Sequence, residues 1–110
     1  MKLPDCLFTL VDWADVVPTE HPGDTGKALW RTHMLGDIRI RVVDYLPGYL
    51  GDHWCDRGHI LFVAEGELTT ELRDGGEHRL TSGMSFLVSD FGDAPHRTRT
   101  TTGAKVFIVD

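Results

Sequence analysis

Residues 51–59 have the sequence GDHWCDRGH, which places three metal-binding side chains within seven positions. They are His53, Cys55 and His59. Imidazole nitrogen and thiolate sulfur are donors that zinc and related divalent ions prefer. Side chains two positions apart on a strand share a face, so we expect His53 and Cys55 to point the same way. Gly58 permits a bend that returns His59 to that side. We therefore interpret this stretch as a candidate metal site.

Both sides of this stretch consist of short apolar or alternating runs separated by turn residues. Strands are predicted over residues 38–46, 59–63, 68–72, 77–80, 84–88, 96–101 and 105–109. A turn at 65–66 separates two of these runs, and Asp74-Gly75-Gly76 predicts a hairpin turn. No amphipathic helix is expected beyond a possible turn near residues 12–16. The spacing is typical of an all-β sandwich or barrel, and closure into a barrel removes exposed sheet edges.

The length of 110 residues predicts a single domain. We divide it into an N-terminal arm with the first strands, residues 1–36, and a barrel that holds the metal residues, 37–110. The formal net charge of −6 argues against nucleic acid as a partner, and no apolar run approaches the length of a membrane span. The N-terminus lacks the pattern of a signal peptide, so we expect a cytoplasmic protein with reduced thiols. Cys6, among apolar residues, is expected to be buried.

A fourth metal ligand is expected from outside the first stretch, and His96 is the best candidate. It follows Pro95 at the start of a predicted strand, which an antiparallel barrel can place beside residues 53–59. The predicted ligand set is His53, Cys55, His59 and His96. Three imidazoles and one thiolate fit zinc best, while iron, nickel, copper and cobalt remain open. The alternative is a polar bend that binds no metal.

Residues 17–27, VPTEHPGDTGK, contain two prolines and two glycines, and predict an irregular arm rather than a helix or strand. Such an arm can fold over the mouth of a barrel and bring Glu20 or His21 near the metal. The alternative is an ordinary surface loop.

The region from Gly48 to Gly66 resembles the first motif of the cupins, G-x5-H-x-H-x3–4-E-x6-G. The first glycine is one residue closer than in the motif. Cys55 stands where the motif has its second histidine, and His59 stands where it has glutamate. The gap from His59 to Gly66 fits.

A second cupin motif, G-x5-P-x-G-x2-H-x3-N, is matched at Gly83 and His96. The intervening loop is two residues longer, the internal proline and glycine do not align, and Thr100 replaces the asparagine.

The whole chain resembles the DHCW-motif cupin-fold proteins. Residues 52–55, DHWC, look like the cluster that names the family, and the stretches 18–23, 30–32 and 105–110 are also similar to it. The resemblance implies a double-stranded β-helix, or jelly-roll, barrel with a metal inside. It also suggests a homodimer formed through an outer sheet. It implies no particular reaction, because cupins include dioxygenases, isomerases, decarboxylases, sugar binders and metal sensors.

Two functions follow from these observations. The first is a metal-binding protein of unassigned activity, in which four protein ligands close the site. The second is a metal-dependent enzyme of dioxygenase, isomerase or lyase type that acts on a small molecule. An enzyme needs an open position on the ion. Glu20, His21, Tyr45 or Tyr49 would then lie behind the ligands and act as acid or base.

Overall fold

The computed structural model describes residues 2–92 and 94–110, and almost all of its regular structure is β strand. One turn of 3-10 helix, Trp13–Asp15, precedes the strands, at the turn expected near residues 12–16. The strands are β1 (Thr19–Pro22), β2 (Lys27–Leu35), β3 (Ile38–Tyr45), β4 (His59–Leu72), β5 (Glu77–Thr81), β6 (Ser85–Val88), β7 (His96–Arg99) and β8 (Ala104–Val109). The all-β prediction is confirmed. Within the described residues, no helix has the length and apolar character needed to cross a membrane.

All strand pairs are antiparallel, and the main order across the sheet is β1-β2-β3-β8-β4-β5. The 14-residue strand β4 is central, because its first half pairs with β6 and β8 and its second half with β5 and β7. One long strand thus belongs to two sheets, which face each other across the core in a jelly roll.

The two strands predicted at 59–63 and 68–72 are a single strand, so the turn predicted between them is wrong. The chain instead passes through an irregularity in register between Val63 and Glu65. Gly66 has φ +79, and a Cβ there would collide with the carbonyl oxygen of Gly103. A bulge of this kind bends a strand without ending it. The bend lets β4 pass from one sheet to the other.

The core lies between the two sheets and follows the alternation of the strands. Its fully buried large side chains are Val43, Leu61, Val63, Leu68 and Val106. In the first half of β4 and in β8 the buried positions alternate with side chains that are exposed or half-buried on the outer face of the sheet. The alternating pattern of the sequence therefore correctly marked the strands of the barrel.

Strand β3 carries polar side chains into the barrel. Arg39, Arg41 and Tyr45 share the inward face with the buried Val43, whereas Ile40 occupies the opposite face. Only 4% of Arg41 is exposed. Burying a guanidinium is costly unless it is paired. The inward-facing arginines therefore indicate that the end of the barrel near Arg41 binds polar groups.

The prediction of an irregular arm over residues 17–27 is wrong in part. Thr19–Pro22 forms β1, which pairs with β2 from Thr19 opposite Trp30 to Pro22 opposite Lys27. As the outermost strand in the sheet order, β1 tolerates a proline. The first strands therefore continue the sheet of the barrel across residue 37.

The expectation of a buried Cys6 is also wrong, because Cys6 is exposed. Its neighbours Leu7, Phe8 and Leu10 are each at least 85% exposed. Residues 2–11 have no regular structure, and residues 2–10 are exposed.

Candidate metal centre

Three of the four predicted ligands come together at one end of the barrel. The donor atoms of Cys55, His59 and His96 all lie within 4.8 Å of one another. The Nε2 atoms of His59 and His96 are 2.8 Å apart, and the Sγ of Cys55 is 4.0 Å from the Nε2 of His59. Only 4% of His96 is exposed, so the cluster lies at the edge of the core.

Backbone pairing brings these residues together from different parts of the chain. His59 begins β4 and His96 begins β7. The backbone N–H of Cys55 donates to the carbonyl of His96 at 2.7 Å, and the N–H of His96 donates back to the carbonyl of Cys55 at 3.1 Å. This isolated antiparallel bridge places the first stretch beside β7, as the sequence predicted.

The hydrogen bonds of the two imidazoles define which nitrogen carries the proton. The Nδ1 of His59 lies 2.9 Å from a carboxylate oxygen of Asp110, and the Nδ1 of His96 lies 3.0 Å from the carbonyl oxygen of Ala94. Both oxygens are acceptors, so both Nδ1 atoms donate. In the neutral rings the two Nε2 lone pairs then face each other at 2.8 Å. Such an arrangement requires a proton or a cation between the rings.

The donor set fits a divalent ion such as zinc. With Zn–N distances of about 2.0–2.1 Å and Zn–S distances of about 2.3 Å, two ligands of one tetrahedral ion lie roughly 3.3–3.6 Å apart. The separations of 2.8 Å (His59–His96) and 4.0 Å (Cys55–His59) fall on either side of this range, and no two of the three donor atoms are more than 4.8 Å apart. Side-chain adjustments would bring all three donors onto one ion.

The environment of Cys55 favours the thiolate form of its side chain. The imidazoles of His59 and His96, which share an extra proton when no metal is bound, lower the pKa of Cys55 to about 5, against the opposing effect of burial. The backbone N–H of Arg57 also donates to the sulfur, at 3.4 Å. A thiolate is the form of cysteine that binds metals, so this environment favours ligation at neutral pH.

Asp110 orients His59 from behind, and sequence analysis missed it. Its side chain has no exposed surface, and it accepts hydrogen bonds from His59, Arg39 and Arg41 at 2.9 to 3.1 Å. Burial acts to raise the pKa of Asp110, but these donors hold it well below its usual range. A carboxylate on the far nitrogen of a histidine is the usual support of a metal ligand. Asp110 lies two positions after the buried Ile108, so the alternation of side chains along an extended chain points both inward. This signal was available in the sequence.

The pKa of His59 reflects opposing effects of this environment. Burial lowers it, but the hydrogen bond with Asp110 and the interactions with Cys55 outweigh burial and raise it overall. In the absence of a metal ion, a proton can therefore occupy the position between the Nε2 atoms of His59 and His96.

His53 stands apart from the other three predicted ligands. Its side chain is 76% exposed, and its Nδ1 lies 2.7 Å from a carboxylate oxygen of Asp52. A bend at residues 52–53 interrupts extended structure, so His53 and Cys55 do not share a strand face. His53 nevertheless lines the mouth of the cavity next to the cluster.

A cavity of about 300 Å³ opens beside the three donors. Its wall includes two of the residues that were proposed to lie behind the ligands, Tyr45 and Tyr49. Burial raises the pKa of Tyr45 and raises that of Tyr49 to about 12. Both phenols thus keep their protons at neutral pH and act as hydrogen-bond donors rather than as bases.

The other two such candidates lie outside the cavity wall. Glu20 is 67% exposed in its side chain and pairs with Lys27 at 3.0 Å. His21 stacks on Trp30, with ring centroids 3.6 Å apart and an interplanar angle of 17°. Trp30 lines the cavity, so His21 supports the wall from outside rather than reaching the donors.

The fold is that of several solved proteins. A predicted oxalate decarboxylase from Thermotoga maritima matches with a TM-score of 0.76 at 14% identity, covering 92% of this chain and 96% of that one. Fe(II)-HppE with the alternative substrate (S)-1-HPP matches with a TM-score of 0.74 at 18% identity, covering 99% and 62%. A cupin-2 domain protein from Shewanella frigidimarina matches with a TM-score of 0.59 at 19% identity, covering 74% and 78%.

No protein-family profile and no curated protein matches the sequence. The structural similarities establish the fold alone: the chain has the cupin fold, the jelly-roll barrel that its sequence motifs predicted. Within that fold it carries a Cys/His/His cluster able to bind a metal ion.

Proposed function

We propose that this protein binds one divalent metal ion, zinc, through Cys55, His59 and His96. The observation that carries the proposal is the pair of Nε2 atoms 2.8 Å apart, each on a ring whose Nδ1 already donates to an oxygen. A cation between the rings satisfies both lone pairs, and the nearby thiolate adds the soft donor that zinc prefers.

Three protein ligands would leave a fourth ligand position open, and water or a small molecule from the adjoining cavity would fill it. His53 was predicted as one of four ligands, but its imidazole would have to leave Asp52 and turn inward. The side chain of His53 is 76% exposed, so on this proposal His53 lines the mouth of the cavity and does not bind the metal. On this proposal the site has three protein ligands, which is the arrangement of catalytic zinc sites rather than structural ones.

Metal analysis of variants tests the assignment. Protein purified without chelators is expected to contain about one ion per chain, as expected for a single three-ligand site. His96→Ala and Cys55→Ser should lose the ion, while His78→Ala, which alters an exposed histidine of β5, should keep it. Full metal content in all three variants would refute the site.

The variant His53→Ala separates the two forms of the site. We expect it to retain the metal with little change in affinity. Loss of metal in this variant, with the protein still folded by circular dichroism, would show that four protein ligands close the site. The protein would then be a metal-binding module rather than an enzyme.

A metal-dependent enzyme acting on a small molecule is the second candidate. The cavity of about 300 Å³ next to the three donors favours it. A bound ion would supply Lewis-acid activation there. A thiolate ligand can itself be oxidised, so we favour a non-oxidative reaction of isomerase or lyase type. In Co(II)-substituted protein, a change in the visible spectrum on adding small ligands would support an open position, whereas an unresponsive spectrum would contradict it.

A further inference from the structure

One wall of the cavity carries an excess of arginine. The carboxylate of Asp110 is approached by Arg39 at 2.9 Å, by Arg41 at 2.9 Å and by Arg57 at 3.8 Å. The three arginines line the cavity beside the metal cluster. One side-chain carboxylate thus faces three guanidinium groups as well as the imidazole of His59. This wall of the cavity is positively charged.

The remaining charged groups of the cavity are already paired or, like the thiolate of Cys55, belong to the metal cluster. Arg97 donates to Glu71 at 2.7 Å and lies over the ring of Trp54. The carboxylate of Asp52 is bonded to His53 at the exposed mouth. The unbalanced charge is therefore concentrated at the inner wall, around Arg41.

Arg41 has hydrogen-bonding capacity left over. Its Nη2 donates to Asp110, but its buried Nε has no partner among the described residues. Its guanidinium carbon lies 4.3 Å from the centroid of the Trp30 ring, which packs against the planar group. A buried charge held in place with unused donors is a costly arrangement that a bound anion would relieve.

We propose that the cavity binds a small carboxylate whose charged group lies on the guanidinium of Arg41. This deepens the function proposed above and rests on it in one respect, since the metal ion would bound the other side of the ligand. Guanidinium and carboxylate are both planar, and their fork geometries match. The protonated hydroxyls of Tyr45 and Tyr49 provide further donors along the same wall.

The shape and polarity of the cavity restrict the body of the ligand. Four aromatic rings, those of Trp30, Tyr45, Tyr49 and Phe86, contribute to the lining. A cavity of about 300 Å³ has room for a compact molecule only. We therefore infer a carboxylate with a flat or apolar body rather than a sugar or a nucleotide.

Calorimetric titration of the zinc-loaded protein with three probes tests this inference without any substitution. Benzoate carries the proposed charge and a flat apolar body, benzyl alcohol has a similar body without the charge, and inorganic phosphate is an anion without an apolar body. Benzoate should bind at least about tenfold more tightly than either, because a charge-assisted hydrogen bond is worth roughly 1.4 kcal/mol or more. Equal binding of benzyl alcohol, or tighter binding of phosphate, would overturn the proposal.

Variants locate the binding. Arg41→Gln should weaken benzoate binding at least about tenfold for the same reason. Arg73→Gln, which removes an exposed arginine next to the β4–β5 hairpin turn, should leave it unchanged. If Arg41→Gln does not fold, Tyr49→Phe and the comparison of probes on the unmodified protein still decide the question. Undiminished benzoate binding in a folded Arg41→Gln variant would refute the role of Arg41.

Measuring metal content alongside binding separates this inference from the proposed function. A protein that holds zinc but binds benzoate independently of Arg41 retains the metal function and loses the carboxylate site. A protein that holds no metal but binds benzoate through Arg41 retains the carboxylate site and loses the metal function.

Discussion

The Nε2 atoms of His59 and His96 lie 2.8 Å apart, while the other nitrogen of each ring donates to an oxygen atom. Neither neutral ring has a proton left to share with the other. The pair is therefore complete only when a proton or metal ion lies between the rings. This relationship connects strands β4 and β7 and explains why Asp110 is buried behind His59, where its carboxylate fixes the ring.

The reactivity of Cys55 gives one direct prediction. In a Cys6→Ser background, metal-free protein should react with iodoacetamide at a rate that rises through pH 5, because the pKa of Cys55 is lowered to about 5. Mass spectrometry of the modified peptide measures this rate. Zinc should protect the thiol, since a coordinated sulfur is a poorer nucleophile. A rate that rises only in the range of an ordinary thiol, near pH 8.5, would contradict the proposed environment.

The carboxylate of Asp110 should control metal affinity without contacting the metal. Asp110→Asn weakens the acceptor that orients His59, and loss of such support typically lowers affinity by about 10–100-fold. Competition with a chromophoric chelator measures the change. Asp44→Asn is the matched control, because Asp44 also pairs with an arginine, Arg31, but lies away from the cluster. If both variants bind metal like the unmodified protein, Asp110 has no positioning role.

Glu71 should make the fold sensitive to acid. It accepts hydrogen bonds from Arg97 and Arg99 at 2.7 Å each, and its side chain is 15% exposed. The hydrogen bond from Arg97 is the main cause of its lowered pKa. A lowered pKa stabilises the fold above the unfolded-state value, near pH 4.3, and this stabilisation is lost as the pH falls through the folded-state value.

Glu71→Gln should therefore lower the free energy of unfolding at pH 7 by roughly 1–2 kcal/mol, since it weakens two charge-assisted hydrogen bonds. Urea denaturation at several pH values measures this difference, which should shrink below pH 4. Glu65→Gln, at an exposed position, should show no such dependence. A Glu71→Gln deficit that is independent of pH would show that the ion pairs do not contribute.

The outer face of the sheet predicts self-association. Ile60 pairs with Leu87 and Phe62 pairs with Phe107, and all four are at least 39% exposed. Trp13 packs against Phe107. The exposed apolar arm of residues 2–11 ends two positions before Trp13, so the C-terminal end of the arm lies beside this face. We expect two copies to form a homodimer in which each arm covers part of the partner's outer face, because both surfaces gain by leaving water.

Sedimentation measurements test this arrangement. The unmodified protein should sediment as a dimer, and Phe8→Glu, which places a charge on the arm, should shift it toward the monomer. Lys2→Glu changes the charge at an exposed polar position of the same arm, and should remain dimeric. If the protein sediments as a monomer at every concentration tested, the predicted homodimer does not form.

The sequence by itself determined the fold class and most of the metal cluster. Alternating apolar residues and glycine turns are local signals, and the resulting strands have few ways to bury their apolar faces in a chain of this length. Cys55, His59 and His96 were identifiable because their side chains have few roles other than ligation when they are grouped together. Strand β1 and the continuity of β4 were missed, since proline and glycine mark a strand edge or a bulge as readily as a turn.

Only the tertiary structure decided which side chains share the site. His53 lies two positions from Cys55 in sequence but is carried outward by a bend at residues 52–53, whereas Asp110, directly after β8, orients His59. The direction of Arg41 is equally invisible in sequence, because a shift of one residue in register would have exchanged the arginine and isoleucine faces of β3. Side-chain direction depends on how strands pair across the whole barrel, and that pairing is a property of distant segments rather than of any local pattern.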